Sequence, residues 1–334
     1  MGKVVNMNKT RMKKMVSDNI VVVVLILLCI GFGVASETFF TGKNITNILS
    51  QMCINAILAT GLTYVIILGG IDISVGSVSA VAGVVAAYVG LQFPNMGVVQ
   101  AIVILIVSGV VVGCICGLIN GVLIAYFDVI PMICTLSTMT IWRGVSFILT
   151  GGQPVYGLPT PFAYLGANRI IATESMPNGA LPVITIFTVV VVGIMHVLLS
   201  QTIFGRHVFA VGSNRVVAHL SGISVRKVTL MSHVICSITA ALAGVCIASK
   251  LQNAQPNAGN GYEMFAIAST VLGGTSLQGG SGSVARAMFG CAVIAVIKTG
   301  MDLMNIYSYW QNIVIGVIII LAVVLDMAQK KQKN

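Results

Sequence analysis

Ten apolar stretches, most of them close to 20 residues long, follow one another along this chain with short polar breaks between them. A helix rises about 1.5 Å per residue, so roughly 20 apolar residues cover the ~30 Å hydrocarbon layer of a bilayer. In lipid every backbone N–H and C=O needs an internal partner, which leaves only helices and closed barrels. A barrel would show alternating segments of about 10 residues, whereas these runs are continuous. The pattern predicts an all-α polytopic membrane protein with about ten transmembrane helices. The segments are 20–38, 48–68, 73–91, 98–124, 130–149, 181–200, 226–249, 263–280, 284–303 and 307–326. Only 8% of residues are charged, against roughly 25% in a soluble domain, so a soluble core of this size is excluded. Pro94, Pro131, Pro154, Pro159, Pro161, Pro177, Pro182 and Pro256 fall in loops or near segment ends, as helix breakers should.

Orientation follows from Lys and Arg, which accumulate on the cytoplasmic side. With the N-terminus inside, thirteen are cytoplasmic: Lys3, Lys9, Arg11, Lys13, Lys14, Arg206, Arg215, Arg226, Lys227, Arg286, Lys330, Lys331 and Lys333. Three lie outside (Lys43, Arg169, Lys250) and two within segments (Arg143, Lys298). Ten crossings therefore leave both termini cytoplasmic. The chain divides into a basic segment 1–19, a membrane domain 20–326 and a basic tail 327–334. Residues 1–19 precede an apolar run without a small-residue cleavage site, so the first span is expected to remain as an anchor. The net charge of +10 is accounted for by these membrane flanks, and no nucleic-acid partner is expected.

Several chemistries are not indicated. Cys29, Cys53, Cys114, Cys116, Cys134, Cys236, Cys246 and Cys291 all lie in apolar stretches and read as small buried hydrophobes. His196, His207, His219 and His233 are isolated, so neither a metal site nor a cofactor is expected. No G-x-x-x-x-G-K-[ST] motif occurs, so ATP cannot be bound by a P-loop here. The acids near the membrane, Asp72, Asp128, Glu263 and Asp302, all fall near segment ends. An ion-coupled transporter working alone normally buries acids within its spans, which argues against that class.

Two loops are large: the outer 150–180 and the inner 201–226. Within the inner loop, "VGSNRVVAHLSGI" predicts a short helix with Ser213 or Asn214 as N-cap and Gly222 as the C-terminal stop. Ser224 is placed to cap the following span. Val216, Val217 and Leu220 would form an apolar stripe flanked by Arg206, Arg215 and Arg226. Such a stripe suits docking to a soluble partner or rest on anionic lipid, and the residues alone leave both open.

The stretch "LGGIDISVGS", Leu68 to Ser77, breaks the apolar run after about one full crossing. Gly69 and Gly70 are expected to end one span and Asp72 to cap the next, with Ser74 and Gly76 completing a turn or gate at the cytoplasmic edge. "LGG" recurs at Leu272–Gly274. From Glu263 to Leu272 lie only ten residues, about 15 Å of helix, so this second break is expected near mid-membrane. Irregular backbone there must border protein or a water-filled cavity. Gly273, Gly274, Thr275, Ser276, Gln278 and Gly279 are thus expected to line a translocation path through a broken helix. A neutral polar solute would also call on Gln51, Asn55, Thr60, Thr63, Tyr64, Ser137, Thr138, Thr140 and Trp142, among which Asn55 and Tyr64 are favoured. Arg143 and Lys298 are intramembrane cations that either snorkel to the outer surface or line the path.

The chain resembles the inner-membrane permease subunits of ribose-type sugar ATP-binding cassette (ABC) importers. "FFTGKNITNILSQMCINAI", "GGIDISVGSV", "GSNRVVAHLSGI", "AQPNAGNGYE" and "VLGGTSLQGGSGSV" occur in the order typical of that family. The resemblance implies that Gly212, Asn214, Ala218, Leu220, Ser221 and Gly222 belong to a coupling segment seated in a separate ABC ATPase subunit. It also implies an extracytoplasmic sugar-binding protein, to which Lys43, Arg169 and Lys250 are candidate salt-bridge donors. A second permease subunit, identical or different, would complete the path in a bacterial inner membrane. Phe265 stands where the family usually has an acid, Lys298 where neutral polar residues are common, and Arg286 where a base is rare; "GSN" at 212–214 also departs from the usual "GGN". The competing expectations are an ABC permease for branched-chain amino acids and a stand-alone ion-coupled transporter.

Overall fold

The computed structural model describes residues 20–171 and 179–331. The basic stretch 1–19, residues 172–178 and the last residues 332–334 lie outside the described residues. The helices are α1 (Ile20–Ala35), α2 (Gly42–Ile67), α3 (Val75–Leu91), α4 (Val98–Tyr126), α5 (Pro131–Thr150), α6 (Tyr164–Ala167), α7 (Val183–Gln201), α8 (Ile203–Ser213), α9 (Arg215–Leu220), α10 (Val225–Leu251), α11 (Tyr262–Leu272), α12 (Val284–Leu303) and α13 (Ser308–Lys331). Two short strands, β1 (Arg169–Ile170) and β2 (Leu181–Pro182), pair antiparallel. Among the described residues six helices, α2, α4, α5, α7, α10 and α12, are long and apolar enough to cross a membrane. The shorter apolar helices fall in α1, α3, α11 and α13.

α10 is the central element. It packs along α4 through Gly109, Gly113, Gly117 and Gly121, one glycine every four residues on a single helix face. A Cβ at Gly117 would lie 2.5 Å from the Cα of Val234, so only glycine admits this approach. Between membrane helices there is no hydrophobic drive of the aqueous kind, and close backbone contact through small residues supplies the attraction. Gly244 of α10 meets the Ser79 backbone of α3, and Gly61 of α2 meets Cys236 and Thr239. The main apolar cluster is built around these contacts, with Ile57, Leu58, Leu62, Val78 and Cys236 all fully buried.

Both "LGG" stretches end helices by the same device. Gly69 adopts φ 78°, with its N–H bonded to Ile66 O and that of Gly70 to Val65 O. This is the Schellman closure that satisfies the last carbonyls of α2. After α11 the left-handed residue is Gly274, φ 84°, with N–H bonds from Gly274 to Val271 O and from Thr275 to Thr270 O. The repeated motif is therefore used one position out of register.

The eighth expected segment is corrected. Helix extends only over Tyr262–Leu272, not over 263–280, and the irregular backbone in the middle of the bundle precedes the helix. Gly259 lies against Gly76 and Ser79, and Ser79 Oγ donates to Ala240 O, near the midpoint of α10. Residues 252–261 thus fold inward from the end of α10 before α11 begins. Counting residues from the outer surface placed the break after the helix. The inward fold is hidden in the sequence because Arg143, more than a hundred positions earlier, supplies hydrogen bonds to it.

Contacts sort the loops into two ends. Residues 67–70, Pro131, 212–226 and 278–280 meet at the end that carries Arg206, Arg215, Arg226 and Lys227, here called the basic end. Val155 bridges Ala254, Gly90 packs on Phe162, and Gly166 packs on Lys250 at the opposite end.

Candidate functional site

At the basic end α9 stands as a separately capped helix. Asn214 Oδ1 accepts from the N–H groups of Val216 and Val217, each at 3.0 Å. Gly222, φ 81°, closes the other end with bonds from Gly222 N to His219 O and from Ile223 N to Ala218 O. Ser224 takes the N-cap position of α10 but its side chain makes no capping bond. Ala218 is buried and faces back into the permease, in a cluster with Val208, Val211 and Val228. Of the coupling-segment residues it is the one that anchors α9 to the permease. Val216, Val217 and Leu220 point away, at 68%, 57% and 80% exposure. Ser221 is exposed beside them. A basin of about 730 Å³ with Arg215, His219, Arg226 and Asp128 on its walls lies next to this stripe.

Residues that sequence reasoning assigned to three different roles meet in one junction beneath α9. Gly280 N–H donates to Ile67 O at 2.8 Å, tying the loop after α11 to the last turn of α2. A Cβ on Gly279 would lie 2.7 Å from Gly212 O, 2.9 Å from Ile67 O and 3.1 Å from Gly69 N. A Cβ on Gly212 would overlap Ile67 O outright. Three backbones therefore touch with no side chain between them. Thr275 and Ser276 are buried behind this contact, whereas Gly274 and Gln278 are exposed. Gly273 packs on the backbone of Arg286 and Ala287 at the start of α12.

The turn 68–74 is open to water at Gly69 but not at Asp72. Asp72 has no exposed surface, and Ser74, Ser77 and Asn120 around it are equally enclosed. Asp72 Oδ1 accepts from Ser74 N at 2.9 Å and Ser74 Oγ at 2.6 Å, and Asn120 Nδ2 donates to Ser74 Oγ at 3.0 Å. Oδ2 lies 3.5 Å from His233 Nδ1, an ion-pair distance without hydrogen-bond geometry. Thr135 of α5 staples the segment from the other side, accepting from Ile73 N and donating to Ile71 O. His233 lies eight residues after Val225, about 12 Å along α10. The expected capping role is corrected in detail: Asp72 binds the N–H of Ser74, one residue ahead of α3, and is fully enclosed. α4 and α10, at 29 and 27 residues, outreach α2 and α3 and enclose the turn. Gly76, in the first turn of α3, leaves room for Glu263 and the Gly259 backbone.

Toward the opposite end a cavity of about 270 Å³ opens between α2, α10, α11 and α12. α2 contributes Asn47, Gln51 and Asn55, spaced four residues apart and so aligned on one face. That spacing was the sequence signal for the cavity, although only Gln51 and Asn55 were picked out by residue type. Lys250, Tyr262, Phe265 and Lys298 complete the wall from three other helices. Lys298 Nζ sits 5.3 Å from the Phe265 ring centre and 5.9 Å from that of Tyr262. Asn55 Nδ2 donates to Ser269 Oγ at 2.6 Å. Tyr64 is elsewhere, fully buried, its hydroxyl donating to Met195 O. Thr60, Thr63 and Thr138 are buried and bond back to their own helices.

Arg143 does not snorkel. Its Nη1 donates to Pro256 O at 3.0 Å and Ala258 O at 2.8 Å, and Ser146 Oγ also donates to Pro256 O. The cation is thereby stabilised by two carbonyls of the inward-folding loop. Arg143→Gln should lower stability in detergent by about 1.5–3 kcal/mol, the worth of charged hydrogen bonds, read as a shifted unfolding midpoint. An unchanged midpoint would mean the loop holds its place without the guanidinium.

A helical membrane bundle with a capped surface helix at one end and a polar cavity toward the other has the build of a transport subunit. The chain belongs to the permease family described as "Branched-chain amino acid transport system / permease component", whose profile matches residues 44–323. It is 38% identical to the ribose import permease of Bacillus subtilis over 304 residues, 90% of each chain. It is 34% identical to the D-allose transport system permease of Escherichia coli over 304 residues, 91% of this chain and 89% of that one. Identity to the galactose/methyl galactoside import permease of Escherichia coli is 36% over 327 residues, 94% and 95% of the two chains. No solved structure matches the chain. The protein is a transport permease, not an enzyme.

Proposed function

We propose that the chain is the membrane-spanning permease subunit of an ATP-driven importer of a simple sugar, a pentose or hexose, in a bacterial inner membrane. The permease relatives are named for ribose, allose and galactose, which favours sugar over the amino-acid cargo in the family description. Ten crossings are formed by α1 to α5, α7 and α10 to α13, with α11 and its inward-folding loop counting as one. Both termini and the basic end are cytoplasmic, in keeping with the Lys and Arg distribution. A second permease subunit lies alongside and the solute passes between the two. An extracytoplasmic binding protein delivers sugar to the opposite end, with Lys43 and Arg169 as candidate salt-bridge donors, whereas Lys250, the third candidate, lines the cavity.

One observation carries the coupling assignment: α9 exposes Val216, Val217 and Leu220 while its caps and Ala218 fix it to the junction of α2, α8 and the 273–283 loop. An ATPase cleft that seats α9 would pull on that junction. Asn214, Ser221 and Gly222 shape the seat, Gly212 ties it to the junction, and Gly69, Gly70, Gly273, Gly274, Thr275, Ser276, Gln278 and Gly279 border the inner gate that it moves. Leu220→Asp should reduce co-purification of the ATPase subunit by about tenfold or more, since a charge replaces a buried apolar anchor, while the bundle stays folded. Undiminished ATPase binding would remove α9 from the interface.

A further inference from the structure

The cavity between α2, α10, α11 and α12 contains two ammonium groups, Lys250 and Lys298, and no carboxylate among its walls. No ion pair to either lysine occurs among the described residues. Lys298 is held over the rings of Phe265 and Tyr262, which fixes its position but leaves its three N–H donors for a ligand. Two like charges in a partly enclosed site repel one another and lose hydration, so their pairing there is favoured when an anion joins them. The remaining polar atoms call for a different partner. Gln51 Oε1 and Asn55 Oδ1 are buried and accept no hydrogen bond. An orphaned buried acceptor is unfavourable, and a ligand hydroxyl relieves it.

The geometry points to a cavity built for a polyhydroxylated anion, an acidic sugar whose hydroxyls donate to Gln51 and Asn55 and whose carboxylate or phosphate lies between Lys250 and Lys298. Tyr262 and Phe265 offer apolar faces to the C–H side of such a molecule. A neutral sugar satisfies the two amides but leaves the two cations without a counter-charge. This inference rests on the sugar-permease reading and narrows its substrate class.

The test uses the whole transporter in the cells that make it. The chain is deleted and restored as wild type, Lys298→Gln, Lys298→Arg or Lys250→Gln, with membrane levels checked by immunoblot. Uptake of labelled D-gluconate, D-glucuronate, D-glucose 6-phosphate, D-ribose and D-galactose is then compared. Wild type should restore uptake of at least one of the three anions. Either Lys→Gln change should reduce it by about tenfold or more, the loss of one charged hydrogen bond, and Lys298→Arg should retain most of it. Chain-dependent uptake of ribose or galactose alone would overturn the inference and leave the sugar-permease reading intact. Uptake of none of the five would overturn the inference, and the sugar-permease reading falls only if no pentose or hexose is taken up. Phosphatidylglycerol that co-purifies with wild type but not with Lys298→Gln, without anion uptake, would give the cavity to a lipid headgroup and overturn the inference as well.

Discussion

Asp72→Ala is expected to be among the most damaging single changes in the chain, lowering stability by about 2–6 kcal/mol, since two buried donors lose their acceptor at about 1–3 kcal/mol each. The substitution strips Ser74 N and Ser74 Oγ of their acceptor and leaves His233 facing a void. Asp72→Asn, which keeps an oxygen in the Oδ1 position, should be milder. An exposed helix cap would instead lose about 0.5–2 kcal/mol, so the size of the loss separates the two placements of this residue. The readout is the amount of folded protein in the membrane together with the unfolding midpoint in detergent. An alanine variant that behaves like wild type would contradict the enclosed geometry.

Gly212→Ala should act at the junction rather than on α9 itself. The added Cβ would overlap Ile67 O and approach Gly280 N to 2.9 Å. Overpacking of this kind costs about 1–3 kcal/mol, and here the strain falls between backbones that cannot rotate away. Uptake should fall sharply while the ATPase still co-purifies, because the exposed stripe of α9 is unchanged. Gly144→Ala provides the comparison: nothing lies within 4 Å of its Cβ, and alanine favours helix by up to about 1 kcal/mol. Equal uptake by the two variants would mean that the junction does not transmit movement.

What could be seen in the sequence follows the range of the forces involved. Asn214 and Gly222 marked the ends of α9 because capping is settled within one turn of the chain, and Gly69 marked the end of α2 for the same reason. Each apolar segment contains a helix, since the length of an apolar run limits where one can form. Depth within the bundle was not legible. Asp72 lies inside because the glycine stripe of α4 draws α10 close and both helices outreach the turn. Residues 252–261 fold inward because Arg143, more than a hundred positions earlier, binds their carbonyls. The cavity was half visible. Asn47, Gln51 and Asn55 repeat every four residues on one helix, whereas Lys250, Tyr262, Phe265 and Lys298 converge from three others. The junction of Gly69, Gly212 and Gly279 was named residue by residue but not as one place, because nothing local links them.

In the proposed mechanism, transport through this chain is driven by ATP hydrolysed on a separate subunit coupled through α9. The most direct measurement is solute uptake by cells carrying the chain, with the ion gradients and ATP removed separately. Collapse of the proton and sodium gradients with ionophores, at maintained ATP, should leave chain-dependent uptake largely intact. Depletion of ATP with the gradients held should abolish it. Uptake that follows the gradients and persists without ATP would contradict ATP-driven coupling through α9.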